Sequence, residues 1–439
     1  MKKNFDKVCV VGLWHLGSVI SACLAELGYK VVGVAADKAA AASLNQGKPP
    51  LFEPGLEDLF KKHLKSDNLY FTDSLKDALA NANPIVIAFD SPVSEEGEVD
   101  VSPILKMAKE ISQFIEPKAL IIIHTQLPVG TSEQIERLIH QNNKNWKGGV
   151  VYSLENLKLG QSIHLYLNPE MIVLGSDNIV FCREAEQFFV PIKALKIKMN
   201  LRTAEMTKHV LNGYLANMIS FINQIGMIAD KIGVDAKMVG EVLKYDARVG
   251  KKAPLSPGLG FSGWSLFRDL KMLQGLAKKH QVEDALLLGI EKVNLATFDW
   301  VIKILQDILK NLNGSTIGIL GLTYKPGTST MRRSPAIGII DQLISKGAKV
   351  KSFDPKADRQ ELKQYPKIKL AHSISDLALD CDCLLLLTEW PEFREIDFQS
   401  LKKLVKKPIF IDTKNFLEKP VLEKADFSYF GFGRGGSDA

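Results

Sequence analysis

The chain has 439 residues, of which 46% are hydrophobic and 24% charged, and its formal net charge is +6. That length calls for two or three domains, and the balance of apolar and charged residues excludes a disordered, fibrous or collagenous chain. The small positive charge is compatible with a phosphate-bearing ligand, but no arginine-rich run or basic–aromatic pattern accompanies it, which excludes nucleic acid as a partner.

The N-terminus, Met1-Lys-Lys-Asn-Phe-Asp, leads into a strand without the apolar stretch of a signal peptide. No apolar run approaches the ~20 residues that span a bilayer. A cytoplasmic protein that enters no membrane is the expectation. The five cysteines, Cys9, Cys23, Cys182, Cys381 and Cys383, are odd in number and irregular in spacing. They do not read as a disulfide framework, which suits a reducing compartment. Cys381 and Cys383 are also too close for a zinc knuckle.

In chain order, Lys7 to Gly12 is a short apolar run, a helical pattern starts near Gly17, and Lys30 to Ala35 is a second apolar run. This is a β-α-β unit that opens a parallel sheet. Pro84 to Phe89, Ala119 to His124, Val150 to Ser153 and Met171 to Gly175 continue it as buried strands. Together they predict a doubly wound N-terminal domain over residues 1–197. Helical spacing then dominates, in Ala216 to Ile232 and Glu283 to Asn311, so a helical middle domain covers 198–311. A second α/β pattern follows, with strands at Thr316 to Gly321, Lys349 to Phe353, Cys383 to Leu387 and Pro408 to Ile411. It defines a C-terminal domain over 312–439. The fold class is α/β, two Rossmann-like doubly wound domains joined by helices. The glycine-rich tail from Gly431 reads as loose at its end.

Several motifs along this pattern belong together. They are Leu51-Phe52-Glu53-Pro54-Gly55-Leu56, Asp246-Ala247-Arg248-Val249-Gly250, Pro257-Gly258-Leu259-Gly260-Phe261-Ser262-Gly263-Trp264-Ser265, Gly321-Leu322-Thr323-Tyr324-Lys325-Pro326 with Arg332 and Ser334-Pro335-Ala336, and Leu387-Thr388-Glu389-Trp390-Pro391-Glu392-Phe393. In this order they resemble the UDP-glucose/GDP-mannose dehydrogenase family over nearly the whole chain. The resemblance implies NAD as cofactor, a nucleotide sugar as substrate, and a homodimer formed through the helical middle domain. It implies a two-step oxidation of a sugar alcohol to a carboxylate, in which a cysteine captures the aldehyde.

The matching position for that cysteine is Ser265. A serine hydroxyl needs a neighbouring base, and no histidine adjoins the loop. The family's Lys-Asp after the nucleophile reads Arg268-Asp269 here, and arginine stays protonated. In Thr125-Gln126-Leu127-Pro128-Val129-Gly130-Thr131, Gln126 stands where the family has a water-positioning threonine. In Leu154-Glu155-Asn156-Leu157-Lys158-Leu159-Gly160, Glu155 keeps the first glutamate and Leu159 replaces the second. Retained catalytic candidates are Lys208, Asn212, Asp269 and Glu155, with Ser265 at the altered position. Lys208 and Asn212 are one helical turn apart.

Arg248, Gly258, Gly260, Phe261 and Lys325 are the implied nucleotide-sugar grip, the glycines for close backbone approach and the cations for the diphosphate. Gly12, Gly17, Ser91 and Arg332 are the implied cofactor contacts. The dinucleotide fingerprint reads Gly12-Leu13-Trp14-His15-Leu16-Gly17, so an indole stands where the pyrophosphate-approaching glycine belongs. Trp14 is expected to occupy pyrophosphate space or to distort the turn. Ala35 stands where an acidic residue should hold the ribose, and Asp37 reads as the cap of the next helix. Either NAD binding is weakened or lost, or the remaining amides hold it in a shifted pose. His15 and His124 read as packing or structural residues, and Trp264 as a stacking face or a filler. Two functions stay open: a nucleotide-sugar-binding protein unable to finish the four-electron oxidation, or an oxidoreductase that stops at the aldehyde.

Overall fold

A computed structural model describes residues 5–89, 99–262, 265–332 and 334–435. The chain divides into two compact units, Met1–Leu211 and Asn212–Ala439. The first holds an eight-stranded sheet of β1 (Lys7–Val11), β2 (Lys30–Val34), β3 (Leu69–Thr72), β4 (Ile85–Ile87), β5 (Ile121–Ile123), β6 (Val150–Ser153), β7 (Met171–Gly175) and β8 (Leu195–Met199). Their order is β3-β2-β1-β4-β5-β6-β7-β8. The order reverses between β1 and β4, so the crevice beyond their carboxyl ends is the site that doubly wound sheets offer to a ligand.

The interior strands form because their apolar runs are buried on both faces by helices. Val8, Cys9, Val10, Ile85, Val86, Ile121 and Ile122 are all fully buried. One expectation is corrected. The sheet is not wholly parallel, because β6 and β7 run antiparallel, pairing Tyr152 with Gly175 and Ser153 with Leu174. β8 then runs parallel to β7.

The second unit holds a five-stranded, all-parallel sheet of β9 (Thr316–Leu320), β10 (Lys349–Phe353), β11 (Cys383–Leu386), β12 (Ile409–Asp412) and β13 (Ser428–Gly431), in the order β10-β9-β11-β12-β13. The helices Ala236–Leu243, Ser265–Lys279 and Ala285–Leu309 lie ahead of it in the chain. The helix Leu201–Ile232 starts in the first unit's residues and ends in the second's. Strands β3, β8 and β13 escape the sequence pattern, and each is a sheet edge.

The glycine-rich tail is packed as far as it is described. Phe432 is fully buried edge-on against Trp300, Gly433 accepts from the Ala236 amide, and Arg434 ion-pairs with Asp235. The expected looseness concerns residues 436–439, which lie outside the described residues. All five cysteines are buried and unpaired. No helix among the described residues is long and apolar enough to cross a membrane.

His124 follows β5 and is buried edge-on against Tyr166 and Phe189. Burial pushes its imidazole down from 6.5 to about 4, with a small opposing effect of the Ser153 backbone. The unfolded chain therefore binds a proton between these values that the folded chain refuses. Stability is full above 6.5 and falls as pH drops towards about 4, by roughly 3 kcal/mol if the whole shift is realised. Urea unfolding across that window should show the loss, and His124→Phe should flatten the profile. An unchanged profile in the variant would mean that other groups cause the acid sensitivity.

Candidate functional site

In the first unit, the turn after β1 keeps the geometry of a dinucleotide loop. Gly12 has φ +97°, a region that favours glycine, and a Cβ there would meet the Ala88 carbonyl oxygen at 2.8 Å. Gly17 lies in the helix His15–Glu26, where a Cβ would meet the Gly12 oxygen at 2.0 Å. The first and third fingerprint glycines therefore do the structural work expected of them. Trp14 has not distorted that packing, and its side chain is 53% exposed. The next corner offers no acid. Ala35 is buried, and Asp37 caps the helix Lys38–Asn45 by accepting from the Ala40 amide at 2.8 Å. For NAD, the first and third glycines of the turn are in place, Trp14 stands at the second, and the ribose corner lacks its carboxylate. Ser91 lies outside the described residues.

His15 does more than pack. Its Nε2 donates to Glu53 at 2.8 Å, and the buried Glu53 carboxylate also accepts from the amides of Gly160 and Ser162, each at 2.8 Å. Burial alone would raise the Glu53 carboxyl, but the bonds from His15, Gly160 and Ser162 outweigh it and hold the group below its ordinary range.

The loop after β6 carries Glu155, whose carboxylate caps the Leu157 amide. Lys208, buried on the helix Leu201–Ile232, donates from Nζ to the Glu155 carbonyl at 2.5 Å and to Asn156 Oδ1 at 3.2 Å. On the same helix, Glu205 is fully buried and accepts from the Gly130 and Ser132 amides, while His209 Nε2 donates to the Leu127 carbonyl. These bonds fasten the loop after β5, which includes the buried Gln126.

In the second unit, Asn212 Nδ2 donates to Asp269 Oδ2 at 2.5 Å, and both residues are buried. Ser265 is the first residue of the helix Ser265–Lys279 and is exposed. Asp269 lies one turn along that helix from it. Arg248 is almost wholly exposed and is held as a bidentate pair by Asp246 at 2.7 and 3.0 Å. Lys325 Nζ stands 5.6 Å from the Tyr324 ring centroid. Arg332 is exposed, and its amide donates to Thr330 Oγ1 at 3.2 Å.

The segment from Pro257 to Phe261 packs closely on its own unit. Its glycines serve close approach to the protein itself. The Gly258 amide donates to Asn223 Oδ1 at 2.9 Å, the Leu259 amide to the Thr413 carbonyl at 2.6 Å, and the Gly260 amide to Thr297 Oγ1 at 3.0 Å. The Pro257 and Phe261 carbonyls accept from Asn415 and Asn294. A Cβ at Gly258 would meet the Thr413 oxygen at 2.7 Å, and one at Gly260 would meet Asn294 Oδ1 at 2.2 Å. The three amides are spent and do not form an anion cradle. Phe261 is itself buried. Gly263 and Trp264 lie outside the described residues. Sequence reasoning missed Asn223, Asn294 and Thr297, since a polar residue in an amphipathic helix reads as surface, and Asn415, which lies in the turn after β12.

Three family models match the chain. They describe the NAD binding domain (residues 6–193), the central domain (residues 202–296) and the UDP binding domain (residues 318–419) of the UDP-glucose/GDP-mannose dehydrogenase family. The chain is 32% identical over 436 residues to the UDP-glucose 6-dehydrogenase TuaD of Bacillus subtilis, covering 98% of this chain and 93% of that one. It is 32% identical over 435 residues to the UDP-glucose 6-dehydrogenase of Rhizobium meliloti, covering 98% and 99%. The structure of a UDP-glucose dehydrogenase from the archaeon Pyrobaculum islandicum superimposes with a TM-score of 0.91 at 25% identity, covering 99% of each chain.

The clamp on the 257–261 segment is testable without a ligand. Asn223→Ala leaves the buried Gly258 amide without its acceptor, which should cost about 1–3 kcal/mol in urea unfolding and speed amide exchange in this segment. Asn223→Asp keeps an acceptor and should cost less in exchange protection. Native-like exchange in Asn223→Ala would show that this bond does not hold the segment.

Proposed function

The chain belongs to the UDP-glucose/GDP-mannose dehydrogenase family, whose cofactor is NAD, and we propose that this member binds a nucleotide sugar without completing the four-electron oxidation. The observation that carries the proposal is Ser265. It stands at the nucleophile position with an exposed hydroxyl at the start of a helix. A serine attacks a carbonyl only when a base removes its proton. Arg268 cannot be that base, and Asp269 is engaged by Asn212. Leu159 supplies neither charge nor proton transfer, and Gln126 replaces the hydroxyl that would orient water. Capture of an aldehyde and its release as carboxylate both lack their groups.

The rest of the proposed site favours binding. Lys325 and Arg248 are the cations for the diphosphate, and the rigid Gly258, Gly260 and Phe261 segment shapes the sugar side. Gly12, Gly17, Ser91 and Arg332 are the proposed cofactor contacts, with NAD, when bound, as hydride acceptor. We assign the segments 1–197, 198–311 and 312–439 to the cofactor, the dimer and the nucleotide sugar. The dimer role is supported by exposed apolar side chains on two helices, Tyr214, Phe221, Ile228, Met238 and Val242. Five buried, unpaired thiols fit a reducing, cytoplasmic setting.

A second reading is favoured by Lys208, Asn212 and Asp269, all buried and hydrogen-bonded. An ammonium and an amide donor at a sugar alkoxide would stabilise charge in the first hydride transfer, which needs no nucleophile. The product would then be the aldehyde.

Incubation of the purified chain with NAD and UDP- or GDP-sugars, read by NADH absorbance and product mass, separates the readings. The expected result is nucleotide-sugar binding with no uronic acid. Ser265→Cys alone should stay inactive while Gln126 and Leu159 remain, and Ser265→Ala should leave sugar affinity unchanged. One NADH per sugar with an aldehyde product supports the second reading. Two NADH per sugar would overturn the proposal.

A further inference from the structure

Glu53 is the most heavily engaged carboxylate of the first unit that the proposed chemistry does not use. It lies in the segment after the helix Lys38–Asn45, yet its partners come from two distant places. Oε2 accepts from His15 Nε2 and from the Gly160 amide, and Oε1 accepts from the Ser162 amide, each at 2.8 Å. The Ser162 hydroxyl adds a longer bond at 3.3 Å. His15 opens the helix whose start forms the dinucleotide turn, next to Trp14. Gly160 ends the loop that begins at Glu155 and whose carbonyl at 155 holds Lys208. Gly160 has φ +88°, so that loop end is fixed in a conformation that few residues adopt.

We propose that Glu53 is a positioning residue that organises the dinucleotide turn and the 155–162 loop as one element, acting on the turn through His15 and on the loop through the amides of Gly160 and Ser162. This rests on the reading of the chain as a nucleotide-sugar binder with a dinucleotide turn. The physical reason is the shared acceptor. A buried carboxylate cannot drop a donor without leaving charge unsatisfied. Movement of His15 therefore moves Oε2, which also carries the Gly160 bond. The turn of this chain has an indole in place of its middle glycine, so its start is held by this side-chain pair. Occupation of the turn should consequently be felt at residues 158–162.

The test uses the full chain and two variants, Glu53→Gln and His15→Phe. Thermal unfolding without ligand reports whether each variant folds. Calorimetric titration with NAD and with UDP-glucose gives two affinities for each protein. Amide exchange with and without NAD reports on residues 158–162. The expected result is that NAD slows exchange at 158–162 in the native chain and not in either variant. NAD affinity should fall about tenfold in both, as for loss of one hydrogen bond to a charged acceptor, while His15→Phe leaves UDP-glucose affinity as it was. A purely structural role would weaken both ligands together. Equal NAD-induced protection in all three proteins, no protection in the native chain, or no NAD binding by it would each overturn the proposal. A native chain that binds NAD but no UDP- or GDP-sugar would instead overturn the sugar-binding reading and leave the coupling measured on its own terms. Should Glu53→Gln fail to fold, His15→Phe, which keeps the carboxylate and its two amide donors, decides the matter.

Discussion

A carboxylate taken out of water must find donors, and in each unit of this chain that requirement fixes loops at the ends of strands and helices. Glu205 draws in the Gly130 and Ser132 amides, and Glu53 draws in His15, Gly160 and Ser162. Asp354 gathers the Leu322 and Thr323 amides and the Trp390 indole. Asp412 gathers the Lys414 and Leu417 amides and the Tyr429 hydroxyl. Glu205, Glu53 and Asp354 tie segments that are far apart in the chain, and Asp412 orders the turn that follows its own strand. The balance differs from one to the next. Burial dominates at Glu205 and Asp412 and raises both carboxyls, whereas the donors win at Glu53 and lower it. Glu53 alone among the three accepts a hydrogen bond from an imidazole.

The same economy governs the 257–261 segment. Glycine-rich stretches near a ligand are usually read as places where backbone amides meet phosphate. Here the amides at 258, 259 and 260 point to Asn223, Thr413 and Thr297. Their donors cannot serve twice, so these three amides offer no cradle to an anion. What the segment contributes is rigidity. Rigid placement matters because a ligand pays less entropy when its receptor is already ordered.

The legibility of the chain followed burial. Interior strands such as Lys7–Val11 and Ile121–Ile123 are apolar runs with both faces covered, and they stand out in the sequence. Three of the four edge strands do not. Leu195–Met199 alternates lysine with apolar residues, and Leu69–Thr72 exposes Tyr70. The fingerprint glycines were legible because their backbone demands are local. The capping role of Asp37 was legible for the same reason. Asn223, Asn294 and Asn415 were not, because each acts on a segment at least 33 residues away and an isolated asparagine carries no sign of its partner. Glu53 was visible as a letter in a motif, but its work lies 107 and 109 residues further on, at Gly160 and Ser162.

This division also separates the side chains that hold loops from those at the positions read as chemical. Ser265 is exposed at a helix start. Ala35 sits in an apolar strand end, where a methyl group is cheaper to bury than a carboxylate. Leu159 lies in a loop whose end is held by its neighbour Gly160 through the backbone, which any side chain at 159 leaves intact. By contrast, Glu53, Glu205 and Asn223 each satisfy backbone groups that have been withdrawn from water, and their loss would open a loop.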